Sequence, residues 1–534
     1  MSDSLITRLE RLNEIGAALS SERDITRLLE RILAAAKEIT HADAGTLYRV
    51  TEDGRALRFA LARNDTLGLA WGGVSGKPEN FPDLPLFDAS GAPNHALVAC
   101  HAALTGATVN IEDAYATPGF DFAGTRAFDA HTGYHSRSFL TVPMKNHENA
   151  IIGVLQLINA LDPASRTVRP FSVDDQRLAE SLASQAAVAL TNRQLIDQLE
   201  TLFESFIKLI NLAIDEKSPY TGGHCQRVPE LAMMLAEAVN ATHDGPLADY
   251  TLTPADLHEL KIAALLHDCG KVTTPVHVVD KATKLQTLFD RIELIDTRFE
   301  VLKRDAQIAA LRRLLELRAP QDADAERRCW DALKEEIARL DAERAFLREA
   351  NRGSEKMSEA DQQRVRRIGT ERRWRNPEGV ETDFLSADEI ENLTIRSGTL
   401  TAAEREIINY HIVATIKMLE ALPWPKHLKN VPEYAGAHHE RMDGRGYPRG
   451  LTREQMSLPA RMMGIADIFE ALTAKDRPYK PGMKLSQAIE IMKKFAANGH
   501  IDPDLFDVFL REKVWQRYAE RFLDPEQIDE VAVS

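Results

Sequence analysis

The chain has 534 residues, 44% of them hydrophobic and 28% charged, and a formal charge of −15. Its length exceeds one ordinary domain and points to about three units of roughly 100–200 residues each, with the composition of a soluble globular protein. The acidic balance argues against a general surface for nucleic acid or anionic membrane, so an anionic substrate needs a local basic or metal-bearing pocket.

Residues 1 to about 40 place Leu5, Leu9, Leu12, Ile15 and then Leu28, Leu29 and Ile32 at helical spacing, with a break near Ser20 or Ser21, which predicts two helices. The runs "AGTLYRV", "ALRFALA", "FLTVPMK" and "AIIGVLQLINA" are β-branched or aromatic segments between polar turns and predict a sheet. A helical pattern then continues almost unbroken to just before Pro219, and a helix over 175–218 is expected to connect two domains. Residues 220–281 and 399–510 read as wholly α-helical. Between them, 283–397 is a charged insertion in which Leu311, Leu314, Leu315, Trp330, Leu333, Ile337 and Leu340 predict two or three antiparallel helices. The plainest role for it is a solvated structural insertion; a lid or a dimerisation arm is the alternative.

Cys100, Cys225, Cys269 and Cys329 form no CxxC pair, so neither a disulfide framework nor a thiolate zinc site is indicated and a reducing compartment fits. No window approaches the ~18 apolar residues of a membrane span. The expectation is a cytosolic protein with no membrane and no DNA partner.

The chemistry concentrates in the C-terminal half. "LLHDCGK" sets His267 and Asp268 side by side at the end of an apolar helix, where one can supply a nitrogen ligand and the other a carboxylate bridging two cations. Nitrogen with oxygen donors suits iron, manganese or zinc better than magnesium. His224, His411, His438, His439 and Asp467 lie in or beside other helical patterns of the same region. Any one of these alone is more simply a buried, hydrogen-bonded side chain; seven in one helical domain point to a metal site.

The motifs "YTGGHCQRV", "HDCGK", "HHERMDGRGYP" and "LPARMMGIADIFEALTAKDRPYK" resemble the HD-GYP phosphodiesterases, a subgroup of the HD metal-dependent phosphohydrolases. The resemblance implies an all-α HD-type domain over 219–534, interrupted by the insertion, and two divalent transition-metal ions, iron or manganese, held by His224, His267, Asp268, His411, His438, His439 and Asp467. It makes Asp268 the bridging carboxylate and Lys271 the contact to the substrate phosphate, so these two stand closest to catalysis. Gly444, Arg445, Gly446, Tyr447 and Pro448 would shape the substrate-facing loop, which also offers a surface to signalling partners. Some members carry a glutamate one turn before the first histidine and take a third metal; Tyr220 stands there, which favours two metals, with Glu216 as a neighbour that could be recruited. The implied substrate is cyclic di-GMP, opened to pGpG and sometimes cut on to GMP. Two other readings stand beside it: a non-catalytic scaffold that binds a cyclic dinucleotide or protein partners, and a hydrolase of another cyclic dinucleotide or nucleotide.

In the N-terminal half, "LTGATVNIEDAYATPGF", "SRSFLTVPMKNHENAIIGVLQLINA" and "PFSVDDQRLAESLASQAAVAL" resemble a GAF sensor domain, an α+β fold with a central antiparallel sheet and flanking helices, here over 1–195. Ala160 replaces the lysine after Asn159, and Gln176 replaces the glutamate after Asp175, which follows Phe171; the lysine–aspartate bridge of cyclic-nucleotide-binding members is missing. A ligand-binding and a purely structural role remain equal. His131, Tyr134 and His135 are expected in a polar loop rather than as a metal pair. The connecting helix suits a parallel homodimer that carries a signal to the catalytic half.

Overall fold

The computed structural model describes all residues except 1, 23, 78–80, 218–222, 317–322, 354–355, 476–481 and 532–534. The chain divides into two compact units, Met1–Phe203 and Glu204–Ser534.

The first unit is α+β. Helices α1 (Ser2–Ser21) and α2 (Ile25–Thr40) break where the paired serines fall, and Asp24 caps α2 by accepting from the Arg27 amide. Leu5 and Leu9 lie outside the residues whose side chains are described; Leu12, Ile15, Leu28, Leu29 and Ile32 are buried. Strands β1 (Ala42–Val50), β2 (Ala56–Asn64), β3 (Leu69–Gly72) and β4 (Leu84–Pro85) follow, then α3 (Val98–Thr105), β5 (Val109–Ile111), α4 (Ala123–Thr132), β6 (Phe139–Lys145), β7 (Ile151–Leu161), β8 (Val168–Arg169) and α5 (Val173–Lys217). The sheet is antiparallel in the order β3-β2-β1-β7-β6-β5, with β4 on β2 and β8 on β7. Strand alternation divides it into two faces. Leu47, Leu61, Leu140, Val142, Leu155 and Leu157 pack against α2 and the start of α5, while Thr46, Tyr48, Gln156 and Ile158 point the other way.

The missing lysine–aspartate bridge has a substitute. Asp175 is fully buried in the first turn of α5 and binds Arg169 at 2.7 Å and Arg8 of α1 at 2.6 Å. His131 sits on α4 rather than in a loop, and Tyr134 is buried with its hydroxyl donating to Asp43; His135 alone behaves as expected, exposed and stacked on Tyr115.

The second unit is helical. Its elements are α6 (His224–Ala241), α7 (Pro254–Leu266) and α8 (Val276–Val279), then α9 (Ile292–Glu316), α10 (Ala323–Asn351) and α11 (Glu359–Glu371), a small hairpin of β9 (Arg373–Arg375) with β10 (Glu381–Asp383), and α12 (Ala387–Leu393). Helices α13 (Ala402–Glu420), α14 (Val431–Gly436), α15 (Leu458–Thr473), α16 (Leu485–Ala497), α17 (Pro503–Arg511) and α18 (Val514–Phe522) complete it. The core gathers Val228, Leu235, Leu260, Met462, Ile465, Phe469 and Phe509 from α6, α7, α15 and α17.

The insertion is more than a charged hairpin. Ile295, Phe299, Leu340, Leu347, Val365, Ile368 and Phe384 give it a core of its own, edged by Arg298–Glu389 and Arg344–Asp296 ion pairs. Its base is fixed by Lys281, which is 1% exposed and donates to Glu404 of α13 and to Asn392 of α12. The helix that carries His411 is therefore continuous with this anchor. No helix among the described residues is long and apolar enough to cross a membrane.

Candidate metal centre

Five elements of the second unit bring the seven expected side chains together. His267 and Asp268 end α7, where Gly270 lets the following turn press on α13: a Cβ there would stand 2.0 Å from the His411 carbonyl oxygen, and the Gly270 amide donates to Thr415 Oγ1 at 2.9 Å. His411 lies within α13, His438 and His439 follow α14, Asp467 lies within α15, and His224 opens α6.

Each histidine must present one nitrogen and immobilise the other. In three of them Nδ1 meets the carbonyl three residues earlier: Ala264 for His267 at 2.7 Å, Ile408 for His411 at 2.5 Å and Ala435 for His438 at 2.6 Å. A carbonyl only accepts, so Nδ1 carries the proton and the Nε2 lone pair faces the centre. His224 begins its helix. A carboxylate serves instead: the His224 Nδ1–H donates to Glu470 on α15, whose other oxygen accepts from Arg227 Nε at 2.7 Å. His439 is positioned differently again, with its ring stacked on Tyr447 at 4.8 Å and 24°.

The donors converge in two groups, His224 with His267 and Asp268, and His411 with His438 and His439, each with its ligand atoms within 4.8 Å of one another. Asp268 reaches both: Oδ2 lies 3.2 Å from His224 Nε2 and 3.3 Å from His267 Nε2, and Oδ1 lies 3.3 Å from His411 Nε2. Asp467 spans the same gap, 3.2 Å from His224 Nε2 and 3.9 Å from His439 Nδ1. Lys271, on the turn after Asp268, places Nζ 2.5 Å from Asp268 Oδ2 and keeps a fifth of its side chain exposed.

Electrostatics mark the centre as a place for positive charge. Burial opposes ionisation of Asp268 and Asp467, yet Lys271 and His267 around the first, and His224, His438 and His439 around the second, hold both carboxyls well below their ordinary range. Burial is likewise overcome at Glu470, which His224 and Arg227 bring down to about 2. At His224 burial favours the neutral ring, but Glu470, Asp268 and Asp467 raise it well above its usual value. Burial keeps His438 neutral and lowers His439 to about 4. His438 Nε2 and Asp268 Oδ1 are buried with no hydrogen-bond partner, and the Nε2 atoms of His224 and His267, and of His411 and His439, face each other at 3.2 Å. Nitrogen lone pairs and an orphaned carboxylate oxygen turned inward are what divalent cations satisfy, and the mixed nitrogen and oxygen set fits iron, manganese or zinc.

The glycine-rich loop is organised by a residue that motif reading passed over. Glu440, buried, accepts from the Arg449 amide at 2.7 Å and the Leu451 amide at 2.9 Å. Gly444 has φ 74°, and a Cβ on Gly446 would stand 2.4 Å from Glu440 Cα. Tyr447 and Pro448, joined by a cis bond, are part-buried, whereas Arg445 is exposed and contributes a backbone N–H to Asp443. Tyr220 lies outside the described residues. Glu216 is exposed; its neighbour Asp215 instead has a buried oxygen without a partner, and burial pushes its carboxyl up to about 6. Glu470, Glu440 and Asp215 were all missed by sequence reasoning. For Glu470 a signal existed: it follows Asp467 by three positions and so shares its helix face.

Comparison with known proteins agrees with this architecture. Residues 24–190 match the family model of the GAF domain, and residues 221–348 and 387–505 match two models of the HD domain. The chain thus carries regions that match the GAF and HD domain families. Similar curated proteins include a 3′3′-cGAMP-specific phosphodiesterase of Vibrio cholerae, 48% identical over 81 residues (15% of this chain, 19% of that one). A cyclic di-GMP phosphodiesterase of Pseudomonas aeruginosa is 50% identical over 74 residues (14% and 17%), and one of Thermotoga maritima 31% over 121 residues (23% and 32%). The chain spans less than a third of the length of these relatives. Among solved structures, the GAF domain of an Acinetobacter phosphoenolpyruvate-protein phosphotransferase is 16% identical, with TM-score 0.27, over 36% of this chain and 98% of that one.

Proposed function

We propose that the protein is a metal-dependent phosphodiesterase that hydrolyses cyclic di-GMP, to pGpG or to GMP, under control of its GAF domain. The observation that carries this reading is Asp268, whose two oxygens face two separate histidine groups. A pair of iron or manganese ions bound there would supply Lewis-acid activation of water and of the phosphoryl oxygens. The chain's own residues do the rest. His224, His267, His411, His438 and His439 present fixed lone pairs, and Asp268 and Asp467 add the negative charge that balances the cations. Lys271 offers a cation beside the reacting phosphodiester, and the loop of Gly444–Pro448 supplies a rim on which the dinucleotide and signalling partners sit. The complete donor set speaks against a scaffold without catalysis.

A mixed purine cyclic dinucleotide is the second reading, favoured by the relatives named as 3′3′-cGAMP-specific. Purified protein loaded with Fe(II) or Mn(II) and given each dinucleotide separates the two. Product is expected from wild type and none from Asp268→Ala; a wild type that binds metal and dinucleotide but never cleaves would make it a scaffold.

Regulation is assigned to a homodimer through α5. Val188, Leu195, Leu199, Leu202, Phe206 and Leu209 follow a heptad seam and are 39–64% exposed, with Asn192 at a core position of the same seam, where a polar residue fixes register. Sedimentation should give a dimer for wild type and a monomer for Leu199→Asp with Leu202→Asp; a wild-type monomer refutes the assignment.

A further inference from the structure

The first unit holds a cavity of about 380 Å³ on the sheet face turned away from α2 and α5, between β1, β2, β7 and helix α4. Its wall is a chain of rings: Tyr48 lies 6.4 Å from Phe59, Phe59 4.7 Å from Phe81, Phe81 5.5 Å from Trp71, and Trp71 6.0 Å from Phe128, all in edge geometry. Such a box presents π faces and ring edges to whatever enters, which suits a flat aromatic guest.

The polar lining decides the charge of that guest. Among the described residues Arg63 is the one charged side chain at the cavity, and its guanidinium is already committed: Nη1 donates to the Ala62 and Trp71 carbonyls at 2.8 Å, and Nη2 to Glu30 at 2.8 Å. Ser136 is spent on Asp129, Tyr134 on Asp43, and the Asn64 side-chain oxygen on the Leu67 amide. What remains for a guest is neutral. Thr46 and Gln156 are cross-strand partners that line the floor; the Gln156 amide donates to Thr141, and its oxygen has no further bond among the described residues. A phosphate or carboxylate entering here would be desolvated with no uncommitted cation among the described lining residues to pair it, a cost of several kcal/mol or more.

We propose that this cavity binds an uncharged planar aromatic molecule, held by the ring box and by hydrogen bonds to Thr46 and Gln156, and that it rejects nucleotides. The proposal is independent of the phosphodiesterase reading. Calorimetry on the full chain with indole, indole-3-carboxylate and cyclic GMP tests it. Indole should bind saturably at one site per chain, its carboxylate at least about tenfold more weakly because the charge is buried unpaired, and cyclic GMP not at all.

Gly124 borders the cavity at the start of α4, and a Cβ there meets no atom within 4 Å. Gly124→Phe should therefore abolish indole binding while metal content and melting temperature stay at wild-type values. If that variant does not fold, Thr125→Phe on the same helical turn is the second occluding change. Absence of saturable indole binding, equal affinity for the carboxylate, tight cyclic GMP binding, or indole binding undiminished by the folded occluding variant overturns the proposal.

Discussion

Glu470→Gln tests how the centre is assembled. Glu470 is fully buried and joins two elements, accepting from His224 at one oxygen and from Arg227 at the other. Glutamine has the same shape but one acceptor and one donor group, so either His224 or Arg227 must face an NH2 group. Loss of one charge-assisted hydrogen bond is worth about 1.5–3 kcal/mol. If that loss is expressed as freedom of the His224 ring, metal affinity at the position His224 shares with His267 and Asp268 should fall about 10–100-fold, which corresponds to about 1.4–2.8 kcal/mol. The two magnitudes agree, so the whole effect can be carried by ring orientation. Competition of Mn(II) against a fluorescent chelator reads it, with urea unfolding at saturating metal as the check on general damage. Affinity within twofold of wild type, or a loss shared equally by both metal positions, would refute the orientation argument.

Two further outcomes concern charges buried away from the centre. Asp175→Asn removes the anion between Arg8 and Arg169 and should destabilise the first unit by about 3 kcal/mol at neutral pH. Burial alone would raise the Asp175 carboxyl, but Arg169, Ser172 and Arg8 hold it below its ordinary value; the stabilisation is complete above the unfolded carboxyl value and fades as pH falls through the folded one. Urea unfolding should show the gap between wild type and variant closing below roughly pH 4, and a constant gap would refute the assignment. In the insertion, Lys284 is 1% exposed; among the described residues its ammonium has only the Leu393 carbonyl at 3.2 Å and the Met357 sulfur at 3.3 Å, and burial lowers it to about 8. The unfolded chain then binds more protons than the folded one between about pH 8 and 10.4, so wild-type stability from this group rises across that window. Lys284→Met should be the more stable protein at pH 7 and lack the rise, measured by urea midpoints at pH 7 and 9.5; parallel profiles would sink the idea.

Elements whose signal is local were legible in the sequence. The β-branched runs at β1, β2, β6 and β7, the serine break between α1 and α2, and the long α5 all follow from periodicity and turn chemistry that a single segment carries. The seven donors were legible for another reason: each residue type at the centre is costly to bury without a function, so the set stands out even before its members meet. What stayed hidden is contact between segments. Glu470 reads as one more acidic residue on an amphipathic helix until His224, 246 positions earlier, is seen to donate its Nδ1–H to it.

The same limit governs the GAF unit. Ala160 in place of a lysine removes a bridge on paper, and no local pattern reveals that Arg8 and Arg169 restore it from two other elements. Substitution of the partner also changes the consequence. Asp175 and its two arginines lie apart from the residues that line the cavity, where Arg63, the one charged side chain among the described lining residues, is spent on Glu30 and on carbonyl groups. The loss of one motif residue therefore changes which elements hold Asp175 in place, not what lines the cavity.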